Sequence, residues 1–499
     1  MLRRSFLQGA TAAGLGGALF ARRALGSGDL PEQVLPSSKR AFNVLECFLY
    51  GGLSTWESFY GVPEYGRPDD PNPALRNTQL YTFDNPASSA LKNAVNACGV
   101  PGVDLTPFGQ DALGKTVNLG PLVAPLLGRK DVLDRTRVVV TRHDLEPHEA
   151  AIPLALCGRT LGAPSMASLG AHVARYFAEG ASVDRRSPFS YAFATSFIPS
   201  DNVLATVATG TLPGSSRPLL IKVDGVAQLN ALLERKGVGT IEERARHDAL
   251  LELYVAQQRG RLRWRGQGDP LRSPKLGELA QAMRSVKNVD GVQAVLDPSL
   301  FVPFDSQSCT DTATNLPGMS LRLATHLLTH PVEPARYCCV VDGGLIAADG
   351  GGGYDTHFEN PYTQARNLKN LLTSLLSRIN EPGEKDPSKL DLDRTLVVLS
   401  MEFGRSPQSQ GELGRNHWPY GYVTVYLGGP AQRGLHGAIG PDGYATTFAT
   451  PAENRMAVML ALGIWPFFAD SFGVSDVQGV VGELEGAKSV VSRVLGVTS

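Results

Sequence analysis

Five short runs of this 499-residue chain are apolar almost without interruption, and they restrict its fold more than any other feature. They are FNVLECFLY (42–50), TRVVVT (136–141), RYCCVVDG (336–343), TLVVLSM (395–401) and YVTVYLG (422–428). A strand with one wet face alternates apolar and polar residues, whereas a strand covered on both faces does not. Helical patterns lie between the runs. QARNLKNLLTSLLSRI sets Leu368, Leu371, Leu372, Leu375 and Leu376 on one stripe, and AVMLALGI predicts a further helix near the C-terminus. Strands alternating with helices predict an α/β protein with a mostly parallel, doubly wound sheet. From about 181 to 300 the chain is more polar and reads as long charged helices, a helical insertion or cap on one domain spanning 41–499.

Composition narrows the function classes. Hydrophobic residues make up 42% and charged residues 19%, enough for a large core and too apolar for a disordered chain. The net charge is −1, and no long basic run lies beyond the extreme N-terminus, which argues against nucleic acid as a partner. The first residues carry an address: Arg3 and Arg4 precede Ser5, Phe6 and Leu7, the twin-arginine export pattern. The Gly/Ala-rich stretch from Gly9 to Ala21 is too short and too weakly apolar to span a membrane. Residues 1–26 thus read as a signal peptide and 27–40 as a linker, giving a periplasmic or secreted protein with no stable span after cleavage. An uncleaved N-terminal anchor is the alternative. The six cysteines, Cys47, Cys98, Cys157, Cys309, Cys338 and Cys339, form neither a disulfide scaffold nor a C-x-x-C motif.

In open α/β sheets ligands bind beyond the carboxyl ends of the strands, so the residues that follow each run are the candidates for chemistry. The first run delivers Gly51, Gly52, Ser54, Thr55 and Glu57; the second delivers His143, Asp144, Glu146 and His148. The third leads through a glycine-rich loop to Asp355 and His357, and the fourth ends on Glu402, with Arg405, Arg415 and His417 following. Carboxylates and imidazoles from separate strands suit a divalent metal with mixed oxygen and nitrogen ligands. The two arginines suit a bidentate grip on a carboxylate, phosphate or sulfate. For Asp355 and His357 the bland alternative is a loop-capping pair. For Glu402 and His417 it is a buried carboxylate paired with Arg405 or Arg415.

The segments GGGGYDTH, TLVVLSMEFGRSPQSQGELGRNHWP and YLGGPAQRGLHGAIG, with FLYGGLSTWE and TRHDLEPHEAA before them, resemble the secreted domain-of-unknown-function family DUF1501. That family looks like a member of the alkaline phosphatase and sulfatase superfamily. The resemblance implies an α/β/α sandwich with metal at the strand ends, and makes Asp355, His357, Glu402 and His417 the positions to compare with the superfamily's ligands. The chain departs from the pattern where the first strand ends: Gly51 and Gly52 stand where an aspartate is usual, with Glu57 as a substitute from farther along. Met401 precedes the glutamate in place of serine, Asn416 precedes the histidine in place of aspartate, and no unmistakable nucleophile motif is present.

Other histidines carry less. His326 and His330 have zincin spacing but lack the glutamate that would act as base, and read as a helix side. His247 reads as solvated, and His436 as a pocket rim or loop-packing residue. The expected function is a metal-dependent phosphate- or sulfate-ester hydrolase acting outside the cytoplasm on an anionic small molecule or glycan ester. Its ion would be zinc, calcium or manganese, bound by Asp355, His357, Glu402, His417 and Glu57. Arg405 or Arg415 would neutralise charge, and His143 or His148 would act as general acid. The alternative is a non-catalytic exported binding or assembly protein that keeps the fold.

Overall fold

The structure is a computed structural model that describes residues 30–83, 93, 95–100, 102–163, 167–179, 191–195, 219–222, 240–264, 295–332, 334–345, 353–411, 413–467 and 472–498. The expected signal peptide lies outside the described residues. All five apolar runs are strands. With three further strands they form one eight-stranded sheet. In chain order its strands are β1 (Asn43–Leu49), β2 (Thr136–Thr141), β3 (Tyr191–Thr195), β4 (Leu219–Lys222), β5 (Tyr337–Asp342), β6 (Thr395–Ser400), β7 (Tyr422–Gly428) and β8 (Gly434–His436). Across the sheet they run β8-β2-β7-β6-β1-β5-β3-β4. Every neighbouring pair is parallel except the two made by β7, which is antiparallel to both β6 and β2.

The span read as a helical insertion departs from expectation. It supplies the long charged helix, but it also supplies β3 and β4, which extend the sheet beyond β5. These strands, YAFAT and LLIK, are only five and four residues long, too brief to stand out beside the long helical pattern that follows.

The main helices are α1 (His148–Cys157), α2 (Leu169–Glu179), α3 (Ile241–Trp264), α4 (Leu316–Thr329), α5 (Asn360–Leu376), α6 (Pro451–Ala461) and α7 (Glu483–Val490). Alternation along β1 divides the core between two faces. Leu45, Cys47 and Leu49 pack with the leucines of α4 and α5, while Val44 and Phe48 pack with α1, α2, α6 and α7. Helices therefore cover both faces, which is why the central strands are apolar on both sides. Among the described residues no helix is long and apolar enough to cross a membrane.

One charge lies inside this core. Glu46, in the middle of β1, is fully buried and meets Arg455 of α6 through both carboxylate oxygens, at 2.7 and 2.8 Å. Ser400 and Tyr337, from the two neighbouring strands, donate to the same carboxylate. Burying a charge is tolerable only with this degree of pairing, so the network fixes α6 against the centre of the sheet. A disulfide, Cys98–Cys309, joins segments 211 residues apart. The spacing of six cysteines does not disclose such a single long-range bridge.

Candidate metal centre

Because β1, β2, β5 and β6 are parallel, their carboxyl ends share one edge of the sheet. β7 runs the other way, so the loop that precedes it, carrying His417, returns to the same edge. The topology thus gathers residues from positions 51, 148, 355, 402 and 417.

Asp355 is the centre of the cluster and is 3% exposed. Its Oδ1 lies 3.0 Å from His357 Nε2 and 3.3 Å from His417 Nε2, and its Oδ2 lies 3.4 Å from His148 Nε2. One ligand atom from each of His148, Asp355 and His417 falls within 4.8 Å of the others. Behind each ring stands an oxygen. His417 Nδ1 faces the carbonyl of Glu146 at 3.0 Å, His357 Nδ1 faces Gln410 Oε1 at 2.8 Å, and His148 Nδ1 faces Glu402 Oε1 at 2.9 Å. In a neutral ring the oxygen acceptor takes the Nδ1 proton, which leaves the Nε2 lone pair directed at Asp355.

Lone pairs then crowd together. The Nε2 atoms of His357 and His417 are 3.2 Å apart, and both sit beside a carboxylate oxygen. Such a group needs a shared proton or a cation. His148 Nε2 is buried with no hydrogen-bond partner, as is Glu402 Oε2. Stacking fixes the rings further: Tyr50 lies on His148 with centroids 5.4 Å apart, and Phe403 lies on His417 at 4.4 Å.

The charges respond to this packing. Burial pulls His148 down, but the carboxylates of Asp355 and Glu402 outweigh it and push the imidazole up to about 9. Burial holds His417 below its ordinary value. Burial alone would raise Asp355, yet the neighbouring His148 and His417 rings and the Arg405 charge hold it well below the usual carboxylate range.

The remaining sequence-derived candidates fall into distinct places. Glu402 stands behind His148 rather than beside Asp355, and its Oε1 also accepts the Gly51 N–H at 2.7 Å. It is the carboxylate of a carboxylate–histidine pair aimed at the centre. We expect Glu402→Gln to weaken zinc affinity by about 10–100-fold, with a small change in melting temperature, as read by competition with a fluorescent chelator. Arg405 is fully buried; it donates to Asp355 and to the carbonyls of Gly51, Gly52 and Arg415. Arg415 pairs with Glu57 and donates to the carbonyls of Gln79, Ser406 and Pro407. Glu57 is thereby held in a separate buried pair, its other oxygen taken by Ser54. Most N–H groups of both arginines are committed to protein oxygens. His143 donates Nε2–H to the Glu402 carbonyl at 2.6 Å and accepts the Leu145 N–H at 3.0 Å, so both ring nitrogens are engaged.

His148 is the residue whose place the sequence did not disclose. It opens α1 directly after Pro147, and only the direction of β2, parallel to β6 across the reversed β7, carries it to Asp355. Gly51 lets the loop of Asp355 pass close to the end of β1, since a Cβ there would overlap the backbone of Asp355.

Residues 344–461 match the family model described as Protein of unknown function (DUF1501). The matched span carries Asp355, His357, Glu402, Arg405, Arg415 and His417, while His148 and Gly51 come from outside it. No curated protein and no solved structure matches the chain.

Proposed function

We propose that this protein is an exported, metal-dependent hydrolase of phosphate or sulfate esters, with His148, Asp355, His357 and His417 as the residues that hold the ion. The observation that carries this reading is the convergence of three Nε2 atoms on one buried carboxylate, each ring held from behind by an oxygen. Three nitrogens and one carboxylate suit zinc, or manganese, better than calcium, which prefers an all-oxygen shell. When bound, a divalent ion supplies Lewis acidity to an ester oxygen and to water. At neutral pH Asp355 and Glu402 are balanced by Arg405 and the His148 proton; a divalent ion that displaces that proton leaves one net positive charge, which draws in an anionic ester. Arg405 acts here by holding Asp355, not by gripping substrate. The arginine pair at the N-terminus supports export, as does the Cys98–Cys309 bridge, since disulfides persist in oxidising compartments. The strand-end placement of the cluster fits the alkaline phosphatase and sulfatase superfamily that the sequence resembles.

The second reading is a non-catalytic exported binding or assembly protein. On its side stands the commitment of Arg405 and Arg415 to internal oxygens, which leaves an anion few donors.

The test is metal content by mass spectrometry on the exported protein, followed by turnover of aryl phosphates and aryl sulfates. We expect about one equivalent of zinc or manganese per chain and hydrolysis abolished by chelation. A well-folded protein that neither contains nor takes up metal would sink the hydrolase and leave the assembly role. The pH dependence adds a signature. His148 is raised in the fold from 6.5 to about 9, so its protonated form stabilises the metal-free protein fully below pH 6.5 and progressively less as pH rises toward 9. The loss amounts to about 3 kcal/mol at most. A bound ion must displace that proton, so metal affinity rises up to about tenfold per pH unit over the same window. Melting curves of chelated and zinc-loaded protein between pH 6 and 9 should therefore diverge with increasing pH.

A further inference from the structure

The long charged helix α3 presents an apolar patch that the sheet and the centre do not use. At 1.5 Å per residue its 24 residues run for about 36 Å. Helices in folded proteins owe most of their stability to the packing of one face, yet most described side chains of α3 are exposed. Asp248, Leu251 and Gln258 are half-buried and share one side. On another side Leu250 is 66% exposed, Leu253 55% and Tyr254 52%. Their spacing of i, i+3 and i+4 gathers them into one patch at the middle of the helix. Glu243 and Arg261 stand about five whole turns apart, so both fall in line with Leu250 and Tyr254, one toward each end. The N-cap holds Glu243 in place: its Oε2 accepts the Thr240 N–H at 2.7 Å, and Thr240 Oγ1 accepts the Glu243 N–H at 3.3 Å. Charge is divided along the same axis. The first half of α3 carries Glu242, Glu243, Asp248 and Glu252 against Arg244 and Arg246, whereas the second half carries three arginines and no acid.

We propose that α3 is a self-association element, pairing antiparallel with α3 of a second copy of this chain about a two-fold axis. Leu250 of one copy meets Tyr254 of the other, a contact made twice by symmetry. That register is centred on Glu252, and the same centre sets Glu243 of each copy against Arg261 of the other. The apolar patch closes on itself in the middle, and an ion pair stands at each end. A parallel pairing would instead bring Glu243 to Glu243 and Arg261 to Arg261, so the charges select the antiparallel arrangement. What favours a second copy over an unrelated partner is this self-complementarity: the reversed helix supplies both the apolar match and the opposite charge. The association depends neither on the metal nor on turnover. One pair of helices buries less than the 1,200–2,000 Å² or so of a standard interface, so a dissociation constant of about 10–100 μM is expected.

The experiment is sedimentation equilibrium of the whole protein up to about 500 μM, with melting temperature as the check on folding. Wild type is expected to dimerise and Leu250→Asp to remain monomeric; that side chain is mostly exposed in one copy, so the change spares the fold. Glu243→Lys and Arg261→Glu each replace two attractions by two repulsions and should weaken the dimer about tenfold. Mixing those two variants restores opposite charges at both ends, as does combining the two changes in one chain, so both are expected to recover wild-type association. Loss of the Thr240 cap is common to Glu243→Lys and the double variant, so recovery reads the pairing alone. Wild type that stays monomeric at the highest concentration overturns the self-pairing and leaves the patch to a different protein. A Leu250→Asp dimer as tight as wild type places the interface elsewhere and overturns it as well. Single variants that stay weak when mixed would overturn the antiparallel register.

Discussion

Asp355→Ala is expected to abolish metal retention and to destabilise the fold by about 3–5 kcal/mol. Both effects come from one carboxylate. Among the described residues Asp355 is the only acidic group in contact with all three centre imidazoles, His148 at Oδ2 and His357 and His417 at the Oδ1 that Arg405 also holds. Its removal leaves a fully buried guanidinium without its counter-charge, which is the costly half of breaking a buried pair. Asp355→Asn separates the two consequences. It keeps the volume and one oxygen acceptor for Arg405, so part of the stability returns, but the loss of charge should still lower metal affinity by at least about 100-fold. Urea unfolding and metal content of the two variants read the effects independently. Full metal content in Asp355→Asn would place the ion elsewhere. Equal stability of Asp355→Ala and wild type would show that Arg405 does not need its partner.

The sheet was legible in the sequence because burial on both faces leaves a direct mark: uninterrupted apolar runs such as 136–141 and 422–428 coincide with β2 and β7. Direction leaves no such mark. Nothing in YVTVYLG distinguishes an antiparallel strand from a parallel one, yet the reversal of β7 brings His417 to the edge where Asp355 waits. The chemistry-bearing residues were legible as a set, since imidazoles and carboxylates recur after each strand. Their division of labour was not. Glu402 and His148 differ in role only because the Gly51 amide and the His148 ring take one carboxylate oxygen from two sides, a three-segment meeting that no spacing encodes. Arg405 and Arg415 looked ready for an anion for a similar reason: an arginine after a strand reads the same in sequence whether its partner is a ligand or a carbonyl. The short strands β3 and β4 failed to show because four or five residues fall below the length at which a period can be read.

Gly51→Ala is the other substitution with a large expected effect, about 3–5 kcal/mol of stability together with loss of the metal site. Gly51 has φ +100, a conformation that side chains strain to adopt, and its missing Cβ is where the backbone of Asp355 passes. The obstacle is main chain rather than a side chain that can swing aside, so Asp355 itself must move. Its carboxylate would then leave the three imidazoles, while the Gly51 carbonyl and N–H would lose their hold on Arg405 and Glu402. Gly114→Ala supplies the comparison. That residue also has positive φ, +73, but nothing stands within 4 Å of the added carbon, so only the backbone term remains, about 1 kcal/mol. Denaturation midpoints and zinc content of both variants distinguish strain from collision. If Gly51→Ala costs no more than Gly114→Ala and keeps its metal, then the close approach of Gly51 to Asp355 is not what shapes the centre. If it costs several times more and loses the ion, the glycine at the end of the first strand is a requirement of this site, because any side chain there displaces the loop that delivers Asp355.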